Sequence, residues 1–183
     1  GDSVKNPDDY FSNNVDGSIN LLNVMKRFNC KTIVFSSSAT VYGKAKINPI
    51  NESSKLLPTN PYGESKKLIE DFLRKQFKED PNWRIAILRY FNPIGAHKSS
   101  LIGERSDDIP NNLLPYILKV ATGEKKTLNI YGNDYETLDG TGVRDYIHVK
   151  DAAKASVDIL TDEFVNSHIM IKGEQTIKVK ELL

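Results

Sequence analysis

The stretch Arg84-Ile85-Ala86-Ile87-Leu88-Arg89-Tyr90-Phe91 decides the fold. Its centre, Ile85 to Leu88, is a nearly continuous apolar run, the pattern of a parallel strand covered on both faces. A parallel partner needs a long crossover, usually a helix. Just upstream, Tyr62 to Phe77 carries Leu68, Ile69, Phe72, Leu73 and Phe77 as the inward residues of a helix, which Pro81-Asn82 breaks. Before that helix stands Lys31-Thr32-Ile33-Val34-Phe35, a short apolar strand ending in Ser36-Ser37-Ser38. The three segments read as one strand–helix–strand unit, with Ile33–Phe35 and Ile85–Leu88 as adjacent buried strands of one sheet.

The same rhythm extends in both directions. Pro7-Asp8-Asp9 reads as a helix start, with acidic residues at the positive end of the dipole. Phe11, Val15, Ile19, Leu22 and Met25 continue that helix to about Phe28. Beyond Asn92-Pro93, residues 95–110 read as an exposed loop and Asn111 to Val120 as a helix, with Pro115 in its first turn or at a bend. Leu128–Tyr131 and Val143–Val149 are expected strands around a turn-rich stretch, Asp151–Leu160 a helix and His168–Ile171 one further strand. Alternating strands and helices predict a parallel α/β sheet in a single compact unit.

Composition narrows the function classes. With 39% hydrophobic and 27% charged residues, the 183-residue chain reads as an ordinary globular protein. A net charge of +1 gives no electrostatic reason to expect a nucleic-acid partner. No apolar stretch reaches the roughly 18 residues of a membrane helix, and no signal-peptide pattern opens the chain. The single cysteine, Cys30, excludes an internal disulfide and suits a reducing, cytoplasmic compartment. Following Phe28 at the end of an apolar helix, it is expected to be a buried structural thiol. The three histidines (His97, His148 and His168) lack metal-ligand spacing.

Chemistry concentrates at strand ends, where open parallel sheets bind ligands. Ser36, Ser37 and Ser38 lie at one such end, and Tyr90, Phe91 and Asn92 at another. Between them, Tyr62 and Lys66 are separated by one helical turn and project from the same face. A free tyrosine, with a pKa near ~10, is a poor base at neutral pH. A fixed cation one turn away favours the phenolate, which could take a proton from a hydroxyl as a hydride leaves the same carbon. By itself Tyr-x-x-x-Lys is a weak signal, since many amphipathic helices carry it.

The surrounding phrases are far more selective. Ser36-Ser37-Ser38-Ala39-Thr40-Val41-Tyr42-Gly43, Asn60-Pro61-Tyr62-Gly63 through Lys66, and Arg89-Tyr90-Phe91-Asn92-Pro93 closely resemble the UDP-glucose (UDP-galactose) 4-epimerase family of extended short-chain dehydrogenases/reductases. Ile109-Pro110-Asn111-Asn112-Leu113 and Asp139-Gly140-Thr141-Gly142-Val143-Arg144-Asp145-Tyr146-Ile147-His148-Val149 follow in the family's order, and the likeness runs from about Ser3 to Leu160.

The resemblance implies a partial Rossmann-like parallel sheet. Residues 1–94 would form the C-terminal half of an NAD-binding domain, and residues 95–183 part of a substrate-binding region with interleaved Rossmann elements. It implies Tyr62 as catalytic acid/base, Lys66 as the residue that holds the nicotinamide ribose, and Ser38 as a proton relay to the sugar's 4-oxygen. Asn13, Ser36, Tyr90 and Phe91 resemble NAD contacts, alongside Ser38, Tyr62 and Lys66. Asn92, Asn112, Leu113, Asn129, Tyr131 and Arg144 resemble residues that bind a UDP-sugar, with Ser38, Ala39, Thr40 and Tyr62 completing that set. Arg144 suits a diphosphate because guanidinium matches phosphate oxygens in a bidentate way. The implied reaction, part of galactose metabolism, is transient oxidation at C4 followed by hydride return to the opposite face. A homodimer pairing through the helices at Phe11–Phe28 and Tyr62–Phe77 is also implied.

The chain has no glycine-rich phosphate loop near its start and departs from the family phrase between His168 and Lys178, so it reads as an internal segment. One competing reading is therefore an inactive or binding fragment. The other is a nucleotide-sugar 4,6-dehydratase, which would carry Asp-Glu after the strand-end threonine; no carboxylate occupies that stretch here.

Overall fold

The apolar run at Ile85 becomes the middle strand of a sheet. The computed structural model describes residues 2–45, 47–104, 112–161, 167–171 and 176–178. Strands β1 (Thr32–Ser38) and β2 (Arg84–Tyr90) pair in parallel, Ile33 opposite Ile85 and Phe35 opposite Ile87. Strand β5 (Ser167–Ile171) joins the other side of β2, also in parallel. Ile85 to Arg89 are buried, as expected for a covered parallel strand, whereas β1 at the sheet edge is mostly half-buried. The three serines belong to the ladder itself, with Ser38 opposite Tyr90, because β2 continues far enough to pair with them.

Helices α1 (Asp2–Lys5) and α2 (Pro7–Tyr10) lead into a π-helical stretch, Phe11–Asp16, and then α3 (Gly17–Arg27). The expected single helix is thus interrupted, and the wider π turn shifts the faces: Asn13 stays exposed while Asn14 reaches Ser65 at 3.4 Å. Helix α3 ends in a Schellman cap. Asn29, at φ 52°, donates to the Lys26 carbonyl, and Cys30 donates to the Met25 carbonyl at 2.8 Å. This reversal turns the chain off the apolar face, leaving Phe28 76% exposed and Cys30 exposed, so the expectation of a buried thiol is corrected.

Helix α4 (Pro61–Glu79) connects β1 to β2 and starts where Asn60 accepts a bond from the Gly63 N–H at 2.9 Å. Its Ile69 and Leu73 meet Leu22, Trp83, Ile85 and Ile87 in the core, with Phe72 and Phe77 packed against them. Leu68 lies off the stripe that Ser65, Ile69 and Leu73 define and is 48% exposed, against the expectation of an inward side chain. A single 3-10 turn, Ala39–Tyr42, follows β1 and buries Val41 and Tyr42. Gly43 closes it at φ 61°, where a Cβ would stand 1.8 Å from the Leu57 carbonyl oxygen; glycine is required.

Contacts divide the chain into two units, Gly1–Phe91 with Lys154–Ile171, and Asn92–Ala153 with Lys172–Leu183. The sequence reading had one compact unit; the division arises because the chain returns to β2 through β5 only after building a second sheet. In that sheet β3 (Asn92–Ile94) runs parallel to β4 (Val143–His148), and β6 (Thr176–Lys178), too short to read from sequence, pairs antiparallel with β4. Helix α5 (Leu113–Ala121) holds Pro115 in its first turn, and α6 (Val149–Thr161) follows β4 directly. Leu128–Tyr131 is not a strand: it has no ladder partner among the described residues, and Tyr131 is 83% exposed. Residues 95–104 form the expected exposed loop, while Ile109-Pro110-Asn111 lie outside the described residues. No helix among the described residues is long and apolar enough to cross a membrane.

Candidate active site

In the first unit the chemistry gathers where β1 ends and α4 begins. Lys66, in the second turn of α4, donates from Nζ to the Ser36 carbonyl at 2.9 Å. The ammonium lies 5.7 Å from the Tyr62 ring centroid and 5.1 Å from that of Phe35, so two aromatic faces and one carbonyl hold it. Burial pushes the Lys66 ammonium below its usual value. Tyr62, half-buried at the head of the helix, packs edge-on to Tyr10 with ring centroids 6.1 Å apart.

Ser38 is both the last residue of β1 and the cap of the 3-10 turn. Its Oγ accepts from the Thr40 N–H at 3.2 Å and from Thr40 Oγ1 at 2.9 Å. A hydroxyl has one hydrogen and two lone pairs, so the Ser38 hydrogen is left to donate elsewhere. The middle serine, Ser37, points the other way: its Oγ donates to Glu70 Oε1 at 2.6 Å. Tyr90 shares a 2.8 Å hydrogen bond with Ser156 of α6, Phe91 is half-buried, and Asn13 donates to its neighbour Asn14.

In the second unit the expected substrate residues are more dispersed. Asn92 donates to the Asp145 carbonyl at 2.7 Å, which ties β3 to β4 one residue from Arg144. Arg144 is exposed, donates to the carbonyl of Val143 and forms no carboxylate pair among the described residues. Asn112 stands at the N-terminus of α5 without a side-chain cap bond, followed by half-buried Leu113. Asn129 and Tyr131 are both exposed and share one long 3.5 Å bond.

Sequence reasoning missed a buried ionic cluster beside Ser38. Glu70 and Arg89 are 0% and 1% exposed and meet through two bonds, Nε–Oε1 at 3.0 Å and Nη2–Oε2 at 2.7 Å. Burial pushes the Glu70 carboxyl up, but bonds from Arg89 and Ser37 and the charges of Arg89 and Arg74 hold it below its usual value. A glutamate on the buried stripe of α4, and an arginine inside an apolar strand, were the available signals.

These features define a Rossmann-like α/β protein with a Tyr-x-x-x-Lys pair at its strand ends. The chain belongs to the NAD dependent epimerase/dehydratase family, whose model matches residues 1–171. It is 52% identical over 169 residues to UDP-glucose 4-epimerase 2 of Oryza sativa subsp. japonica, covering 92% of this chain and 41% of that protein. The bifunctional UDP-glucose 4-epimerase and UDP-xylose 4-epimerase 1 of Pisum sativum is also 52% identical, with 92% and 48% covered. The crystal structure of UDP-glucose 4-epimerase from Bifidobacterium longum, in complex with NAD+ and UDP, superposes with a TM-score of 0.92 at 49% identity, covering 99% of this chain and 55% of that one. The chain thus spans less than half the length of these curated relatives.

Proposed function

We propose that the full-length protein carrying this chain interconverts UDP-glucose and UDP-galactose, with NAD held at the carboxyl ends of β1 and β2. The arrangement of Lys66, Tyr62 and Ser38 carries this reading: a cation fixed by the Ser36 carbonyl, a phenol one turn away and a hydroxyl hydrogen left to donate. The donor set fits a nicotinamide ribose, since an ammonium that gives one hydrogen to the Ser36 carbonyl has others to donate to the ribose hydroxyls. Asn13, Ser36, Tyr90 and Phe91 would hold the rest of the cofactor on this side. When bound, NAD takes a hydride from C4 and returns it.

Tyr62, as phenolate, takes up the proton of the sugar's 4-hydroxyl through Ser38, which gives its own hydrogen to the phenolate and accepts the sugar's on Oγ in place of the Thr40 Oγ1 bond. Lys66 stabilises the phenolate and orients the ribose. On the return step Tyr62 gives the proton back to the 4-oxygen. As the family resemblance implies, Asn92, Asn112, Leu113, Asn129 and Tyr131, with Ala39 and Thr40, would bind the UDP-sugar, and Arg144 its diphosphate. Firm UDP binding with a loosely held sugar lets the 4-keto ring turn over before reduction. Leu21 and Val24 of α3, Phe28 at its C-cap and Leu68 of α4 are exposed apolar side chains on the two helices that would pair two copies.

The test is conversion of UDP-galactose by the purified full-length protein, with bound NAD measured in parallel. Removing a general acid/base typically costs ~10² to 10⁴ in rate, so Tyr62→Phe should lower turnover at least a hundredfold. An undiminished Tyr62→Phe rate overturns the mechanism.

A further inference from the structure

The buried pair of Glu70 and Arg89 asks for a reason beyond stability. Two well-packed apolar side chains often stabilise a core as well as a buried ion pair does. What an ion pair adds is direction, because a guanidinium fork meets a carboxylate only in a narrow range of orientations. Here that direction falls on the candidate catalytic groups. Glu70 stands one turn beyond Lys66 and two beyond Tyr62, on the same stripe of α4.

Glu70 holds three neighbours. It accepts from Ser37 Oγ at 2.6 Å, from Arg89 Nε and Nη2 at 3.0 and 2.7 Å, and from Arg74 Nη2 at 2.7 Å. Ser37 lies between Ser36, whose carbonyl receives the Lys66 ammonium, and Ser38, the candidate proton relay. Helix α4 is therefore fixed to β1 at two points one turn apart. Arg89 immediately precedes Tyr90 and sends Nη1 to the Tyr42 hydroxyl at 2.7 Å and to the Glu52 carbonyl at 3.0 Å. The same guanidinium thus also fixes the 3-10 turn that Ser38 caps. An apolar pair in this place would hold α4 on the sheet by packing alone, without these directional bonds.

We infer that Glu70 and Arg89, with Ser37, are positioning residues that set the separation of Tyr62 and Lys66 from Ser38. The inference rests on the proposed epimerase reading, in which those three groups act on one oxygen. Because a misplacement of ~1 Å can cost about a hundredfold in rate, a device that fixes α4 to a fraction of that distance has a catalytic consequence separate from folding.

The experiment uses the full-length protein with Glu70→Leu and Arg89→Met combined, so that neither charge is left buried alone. The combined variant leaves the buried Ser37 and Tyr42 hydroxyls without these partners, so it should melt below wild type while remaining folded at assay temperature. Its kcat for UDP-galactose should fall at least tenfold while KM stays within about twofold. Ser37→Ala, which leaves the ion pair in place, should lower kcat several-fold with little change in melting temperature. Full kcat in the combined variant, or a loss confined to KM, overturns the positioning role. If the combined variant does not fold, full kcat in Ser37→Ala overturns it. A wild-type protein that does not epimerise UDP-galactose removes the proposed function and this inference with it. An active wild type with an equally active combined variant removes only the inference.

Discussion

Gly63→Ala sets helix propensity against packing at the head of α4. In a helix interior, alanine is favoured over glycine by about 1 kcal/mol. At Gly63, however, a Cβ would stand 2.8 Å from the Thr40 carbonyl oxygen and 3.0 Å from Pro58 Cβ. Neither neighbour is the free end of a flexible side chain, so restoring ordinary contact requires a backbone shift of roughly 0.5 Å. Overpacking of this kind costs about 1–3 kcal/mol. Set against the propensity gain, the net destabilisation lies between about 0 and 2 kcal/mol, a fall of at most a few degrees in the Tm of the longer full-length protein. The effect on turnover should be larger. Gly63 follows Tyr62, and Thr40 holds the Ser38 hydroxyl through bonds of 2.9 and 3.2 Å, so the shift moves Tyr62 away from Ser38. At ~10²-fold per ångström, half an ångström is worth roughly tenfold in kcat. A thermal melt and steady-state epimerase kinetics on the full-length protein measure both. A Gly63→Ala protein with a raised Tm and full kcat would refute the reasoning.

Three further outcomes follow from the same contacts. The Glu70 carboxyl is held below its ordinary 4.5, so its contribution to stability is complete above that value and is lost as pH falls through the lower folded value. Urea unfolding across acid pH should show a smaller loss in the combined Glu70→Leu and Arg89→Met variant than in wild type, because Asp80, also held low by Lys31 and Asn82, is still present. Leu73, 0% exposed in the core, should cost about 2–5 kcal/mol when changed to alanine, read as a lower urea midpoint with unchanged slope. Asn60→Ala removes the 2.9 Å cap on Gly63 and should cost about 1 kcal/mol, whereas Asn60→Asp should retain most of the stability.

The strand–helix–strand unit was legible because its signals report burial directly. The run Ile85–Leu88 has no polar face, and Ile69, Phe72 and Leu73 can meet only on one side of a helix. Tyr62 and Lys66 were legible for the same geometric reason. The Glu70–Arg89 pair was not, because its partners lie 19 residues apart on different elements and nothing local couples them. Cys30 misled because exposure there depends on one left-handed residue, Asn29, rather than on the apolar pattern before it. Leu128–Tyr131 has strand composition but no ladder, and pairing is not a property of one segment. Asn112, Leu113, Asn129, Tyr131 and Arg144 have no spacing that marks them as a site; only the family resemblance singled them out.

The place of β5 also bears on how the protein is made. β1, α4 and β2 leave the ribosome in succession and can pair at once, but β5 cannot join until Ser167 has been synthesised. Tyr90 and Ser167 are separated by roughly 75 residues, or about 4–15 s at ~5–20 residues per second. Throughout that interval the most apolar strand of the first unit has an open edge, a template for pairing with another nascent chain. The second sheet is synthesised within the same seconds. Slow codons between residues 92 and 166 would lengthen the exposure of β2, and a chaperone that binds extended apolar segments would find it there.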